Sequence, residues 1–198
     1  TIYVHHKPTN TNSYTIKLMH GIEVANGDSY YPEAHQWALE KNLTMLGNSD
    51  IHQPALESQT TTENHRTMTL VFARQRNAEA VKEALKEGRT AVWFENQLIG
   101  KSEYLQAIFR ESVEIGKPHH RTKSAIWVTI RNDSAADIDM ERAGTQGPEK
   151  LMLPANATTL LRSSIEEDAE QLKLSYVVRN FLIAPEKGLP VDFTIDLR

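Results

Sequence analysis

The feature that most constrains this chain is a change of rhythm near Gly116-Lys117-Pro118. Before it, short apolar runs alternate with helix signals. After it, short β-forming runs follow one another, separated by Gly, Pro, Asn and Asp. The first pattern builds parallel strands flanked by helices, and the second builds a small antiparallel sandwich. The fold class reads as α/β then all-β. Residues 1–117 form the α/β domain and residues 118–198 a β-sandwich domain, with the boundary between Pro118 and Lys123.

In the first part, Ile2-Tyr3-Val4 is a strand ending in His5-His6. Gly21 to Ala25 is a second strand, closed by Asn26-Gly27-Asp28. Pro32 opens a helix reaching Asn42, with Ala34, Trp37, Ala38 and Lys41 at helical spacing. Leu43 to Leu46 is a short buried strand, and Gly47-Asn48-Ser49 a turn just past its end. Gln53 to Arg66 is polar and reads as a loop. Met68 to Ala73 is a strand, Asn77 caps a helix through Lys86, and Gly88 ends it. Thr90 to Phe94 is a strand. Ser102 caps a helix whose apolar face is Tyr104, Leu105, Ile108 and Phe109. Strands then fall at Ala125–Ile130, Asp137–Met140, Lys150–Leu153, Thr158–Arg162, Leu172–Val178 and Asp192–Leu197. Ser163 to Glu170 reads equally as a helical turn or an acidic loop.

Composition removes several function classes. Across 198 residues, 22 Lys+Arg stand against 26 Asp+Glu with no basic stripe, which argues against nucleic acid. The 39% hydrophobic fraction is spread over short runs, as in a soluble globular chain, and none approaches the roughly 20 apolar residues of a membrane span. The absence of cysteine excludes disulfides, thiolate metal sites and cysteine nucleophiles. The sequence has no Gly-rich nucleotide loop, Walker pattern, Gly-x-Ser-x-Gly elbow or His-Glu-x-x-His helix. It begins at Thr1 without a Met or signal-peptide pattern, which reads as a processed product or a piece of something longer and leaves the compartment open.

The residues that could carry chemistry are His, Asp and Arg near strand ends. Asp50 and His52 stand just beyond a strand's carboxyl end, the edge where α/β folds build active sites. Two apart in an extended segment, they point to one side and can converge on one divalent ion. His6 follows a strand in the same way, and with parallel strands it shares their edge. Adjacent histidines at a strand end read more readily as solvent-exposed surface. His65-Arg66 suits a phosphate or carboxylate, the Arg through its bidentate fork, with a loop anchor as the plainer reading. Glu23, a charge inside an apolar strand, needs a partner if buried. His20 lies at the opposite strand edge and reads as surface or packing, as does His35. His119-His120-Arg121 reads as a solvated basic patch. Trp37, Trp93 and Trp127 read as core.

Several segments together resemble the PHP (polymerase and histidinol phosphatase) superfamily, in its two-domain PHP-like metal-dependent phosphoesterases of Bacteroides type. These are His20-Gly21-Ile22-Glu23-Val24-Ala25-Asn26-Gly27, Tyr31-Pro32-Glu33-Ala34, Gln36-Trp37 and Gly47-Asn48-Ser49-Asp50-Ile51-His52-Gln53-Pro54. His65-Arg66-Thr67-Met68-Thr69, Arg89-Thr90-Ala91, Leu98-Ile99-Gly100 and the Asn180–Gly188 run continue the likeness. The resemblance implies a distorted (β/α)7 barrel with two or three divalent ions, followed by a β-sandwich. It makes Asp50 and His52 metal ligands and catalytic residues, maps a mid-barrel His onto His6 (His5 if the register slips), and offers His65 and Arg66 to phosphate. Zinc, manganese or iron suits that donor set. The resemblance further implies a phosphorylated small-molecule substrate. The opening His-x-His of such proteins has no counterpart, so the sequence holds the closing half of a barrel. The expected chain is a metal-dependent phosphoesterase lacking its N-terminal half, completed by that segment or by a homo-oligomer. The alternative is a catalytically silent binding or structural module contacting a partner or carbohydrate.

Overall fold

The computed structural model describes residues 2–3, 19–52 and 65–198. They fall into two compact units: Thr1–Leu105 with Leu182–Lys187, and Gln106–Phe181 with Gly188–Arg198.

The first unit opens with a parallel sheet. Strand β2 (Gly21–Asn26) lies between β1 (Ile2–Tyr3) and β4 (Thr44–Asn48), both parallel to it. A short β3 (Ser29–Tyr30) folds back on β2 through a turn at Gly27, whose φ of 60° suits glycine. The Pro32–Lys41 helix links β2 to β4, giving the expected βαβ unit. Pro at its start, Glu33 in its first turn and Lys41 in its last all favour that helix direction. Asn42, at φ 51°, ends it in the left-handed conformation. Its inward face packs Ala34 and Ala38 onto Ile22, Val24, Leu43 and Met45, in a core that Val92, Phe94, Ile99 and Leu182 complete.

The next strands depart from the parallel expectation. β5 (Met68–Val71), β6 (Thr90–Phe94) and β7 (Gln97–Gly100) form an antiparallel meander, with Met68 opposite Trp93 and Phe94 opposite Gln97. The Ala78–Lys86 helix, capped by Asn77 Oδ1 accepting from Ala80 N at 2.8 Å, does join β5 to β6. Apolar periodicity fixes which side of a strand is buried but not which way it runs, so alternation alone misassigned the direction. The two-residue link at Glu95 and Asn96 commits β7 to run back beside β6. Among the described residues, the parallel strands are β1, β2 and β4.

Threonine hydroxyls join the two sheets. β2 takes up one edge of β4, and Thr44 N donates to His20 O on that side. On the other edge, Thr69 Oγ1 accepts from Gly47 N at 2.8 Å and donates to Gly47 O at 2.8 Å. Thr90 Oγ1 donates to Met45 O at 2.7 Å. The approach is close because residue 47 lacks a Cβ, which would collide with Val92 and press on Thr67.

The second unit is the expected sandwich of short antiparallel strands. One sheet holds β8 (Val113–Ile115) and β9 (His120–Arg121), both on β10 (Ala125–Asn132), which pairs with β13 (Ala157–Ser164). The other holds β11 (Ile138–Arg142), β12 (Lys150–Leu153), β14 (Gln171–Ala184) and β15 (Lys187–Asp196). Burial alternates along β12, β14 and β15, as half-buried strands require. Ser163 to Glu170 completes β13 and then forms a loop. Buried Asn132 shapes the turn after β10: its Nδ2 faces the carbonyls of Ala136, Leu153 and Pro154, and its Oδ1 accepts from Ser134 N and Oγ. Arg121 donates to the carbonyls of Leu197, Glu167 and Ala169, tying the chain end to the acidic loop.

Candidate functional site

β2 and β4 end together, with Asn26 opposite Asn48. The register shifts between Glu23 and Ala25, a bulge that resets the alternation of side chains and brings Asn26 beside Glu23. Glu23 is 3% exposed, and Asn26 Nδ2 donates to its Oε2 at 3.1 Å. Asn48 Nδ2 donates to Oε1. A carboxylate inside an apolar strand is therefore compensated by two amides. Gly27 N donates to Asn48 O at 2.9 Å, and Gly27 O accepts from Thr67 Oγ1 at 2.6 Å. These bonds clasp the β2–β3 turn to the end of β4. Both Asn residues read as turn residues in the sequence; in the structure each ends its strand and holds Glu23.

The chain leaves this clasp through Ser49 into Asp50, whose φ of 50° lies in the left-handed region that Asp tolerates better than most residues. Asp50 Oδ1 stands 4.0 Å from His52 Nε2, and the two side chains are 68% and 88% exposed. Metal–oxygen and metal–nitrogen bonds of about 2.1 Å put two ligands of a tetrahedral ion about 3.4 Å apart. The observed 4.0 Å is about 0.6 Å wider than that, between two exposed side chains of metal-binding types. Among the described residues, no group of three or more His, Asp or Glu side chains could hold a metal. His6 and its substitute His5 lie outside the described residues.

His65 and Arg66 precede β5, both half-buried. His65 Nδ1 lies 2.8 Å from Arg66 O and Nε2 2.7 Å from Glu95 O, while the ring sits 3.9 Å from that of Trp93. Both ring nitrogens thus face backbone carbonyls and fasten the loop to the β6–β7 turn. His20 is exposed at the amino end of β2.

His35 is fully buried on the Pro32–Lys41 helix, with Nδ1 2.8 Å from the Tyr30 hydroxyl and Nε2 lacking a partner among the described residues. Burial pushes its pKa down to about 4. Burial, and then Glu186 and Glu33, push Tyr30 up to about 12.

In the second unit, Trp127 is half-buried on the outer side of β10, its ring 4.8 Å from that of His120 and 5.4 Å from the Arg162 guanidinium carbon. The core face of that strand is Ile126, Val128 and Ile130, so Trp127 is not a core residue. No helix among the described residues is long and apolar enough to cross a membrane.

Comparison with known proteins gives a class for one part and a relative for nearly the whole. The family model of an Ig-like domain matches residues 113–194, the stretch that folds as the sandwich. The chain is also similar, at 32% identity and a TM-score of 0.87, to a two-domain protein of Bacteroides vulgatus ATCC 8482 containing a predicted PHP-like metal-dependent phosphoesterase. The match covers 98% of this chain and 61% of that one. Comparison with curated proteins gives no match.

Proposed function

We propose that the first unit contributes to a metal-dependent phosphoesterase site at the carboxyl ends of β2 and β4. The observation that carries this is the donor pair Asp50 Oδ1 and His52 Nε2, 4.0 Å apart just past a parallel strand. The likeness to a protein containing a predicted PHP-like metal-dependent phosphoesterase supports it. Asp50 supplies a carboxylate oxygen and His52 an imidazole nitrogen, a mixed set that suits zinc, manganese or iron. His6 is proposed as a further ligand. The remaining donors are proposed to come from a further segment of the protein or from a second copy. The chemistry that such ions supply is activation of water and neutralisation of charge on phosphoryl oxygens. The role of the Glu23–Asn26–Asn48 clasp is to fix where β4 ends, and so where Asp50 begins. Arg66 is proposed as a phosphate contact.

The test is metal content after dialysis, together with hydrolysis of a phosphodiester, for the wild type and Asp50→Ala. Loss of both in the variant is expected; metal content and activity equal to wild type would sink the assignment.

A second reading follows from the exposure of Asp50 and His52 without a third ligand among the described residues. On that reading the chain is a binding module whose sandwich contacts a protein or carbohydrate partner. Metal-free wild-type chain with no hydrolysis, together with retained partner binding, would favour it.

A further inference from the structure

At the amino ends of β2 and β4 lies a cavity of about 250 Å³ lined by His20, Gly21, Thr44, Leu46, Lys82, Leu85 and Lys86. Thr44 is the first residue of β4 and Asp50 follows its last by two positions. At about 3.3 Å per residue, Asp50 lies up to about 13 Å along the chain from Leu46, the lining residue nearest it in sequence, and up to about 20 Å from Thr44. The cavity is a different site from the proposed metal centre.

Two observations give it a ligand chemistry. The floor is apolar, made by Leu46 and Leu85. A cavity of about 150 Å³ lined by aliphatic side chains accepts benzene, so this one holds a single ring with a head group attached. The rim is cationic. Lys82 and Lys86 sit one turn apart on the Ala78–Lys86 helix, and both are exposed. Of the acidic groups on this helix and at its end, Glu83 Oε1 accepts from Arg89 at 3.1 Å and Glu87 pairs with the same guanidinium, while Glu79, one turn before Lys82, makes no ion pair with that lysine.

The carbonyls at that helix end would otherwise repel an anion. They too are used: Glu83 O accepts from Glu87 N, Ala84 O from Arg89 N, and Leu85 O from Gly88 N and Thr44 Oγ1. Two ammonium groups over an apolar floor are left with no anion of their own among the described residues.

We infer that this cavity binds a small anionic amphiphile, a single aromatic or aliphatic body carrying a carboxylate or phosphate head that Lys82 and Lys86 clasp. The apolar body lies on Leu46 and Leu85. Lysine serves a phosphate or carboxylate as a point charge and does not impose the bidentate geometry of arginine, so either head is admitted.

The test is a titration of the full ¹⁵N-labelled chain with phenylphosphonate, benzoate and benzyl alcohol, read from the amide shifts of Gly21, Thr44, Leu46 and Leu85. Saturable shifts confined to the cavity are expected, tightest for the dianion, then the monoanion, then the neutral alcohol. Both substitutions in Lys82→Ala/Lys86→Ala are on the surface and leave the fold intact. They should weaken phenylphosphonate by about tenfold and leave benzyl alcohol unchanged. Equal weakening of all three probes, phenylphosphonate binding insensitive to the double substitution, or no saturation at about 10 mM would each overturn the inference. None of these readouts depends on the phosphoesterase reading.

Discussion

Lowering pH should loosen the first unit through one side chain, His35. Its ring is fully buried against the core, its Nδ1 meets the Tyr30 hydroxyl, and its Nε2 has no partner among the described residues. Tyr30, with its pKa pushed up to about 12, stays protonated and donates to Nδ1, so the neutral ring carries its proton on Nε2. A second proton would put a charge in an apolar site and force the tyrosine bond to reverse. Burial accordingly holds the folded pKa at about 4 against 6.5 for the free group. The unfolded chain therefore binds the proton first as pH falls, and stability is lost between pH 6.5 and 4 and no further below. One pKa unit corresponds to about 1.36 kcal/mol, so the full loss is about 3 kcal/mol. Of this, about 1.5 kcal/mol falls between pH 6.5 and 5.0, before most carboxylates titrate. Urea unfolding followed by the fluorescence of Trp37 and Trp93 should show the midpoint dropping by about 1 M over that interval. His35→Gln, which cannot titrate, should remove that part of the slope whatever it costs at pH 7.5. Parallel pH profiles for wild type and variant over pH 6.5–5.0 would refute the reasoning.

Two further substitutions probe what holds each unit together internally. Thr69→Val keeps the shape of the side chain but removes both hydrogen bonds to Gly47, leaving a donor and an acceptor of β4 without partners. A loss of about 2 kcal/mol in urea unfolding is expected, with Thr69→Ser close to wild type. Asn132→Ala strips the turn after β10 of its bonds to Ala136, Leu153, Pro154 and Ser134. It should cost about 3 kcal/mol or more in urea unfolding of the full chain.

Local structure was largely legible in the residues. Pro32, Asn77 and Gly88 mark helix ends because each has a backbone property that a helix terminus needs, and the observed helices start or stop within a residue or two of them. Strand direction was not legible. The Met68–Val71 and Thr90–Phe94 runs carry the same apolar spacing whether parallel or antiparallel, and a helix between them suggested the wrong choice. β14 runs to Ala184, past the expected end at Val178, and so through Asn180, a residue that looks like a terminator. Instead its side chain accepts from Asp139 N and donates to Asp137 O, filling backbone positions of β11. At the site, Asp50 and His52 were visible as metal-binding residue types two apart. The Glu23 clasp was not, because it depends on a bulge that no composition rule announces and on two Asn residues 22 positions apart that only the β2–β4 register aligns.

The threonine seam has a mechanical consequence. A sheet continued by a strand ladder yields only when a whole row of backbone bonds fails together. Here β4 is fastened to β5 and β6 by a few side-chain hydroxyls spaced along it. Such a join can part like a row of buttons, one threonine at a time, with every strand on either side still fully paired to its own sheet. The first unit thus has, beside the strand that delivers Asp50, a seam with fewer directional bonds than a ladder, held closed by the core that both sheets share. Loss of one hydroxyl there would loosen the end of β4 while that core keeps the sheets together.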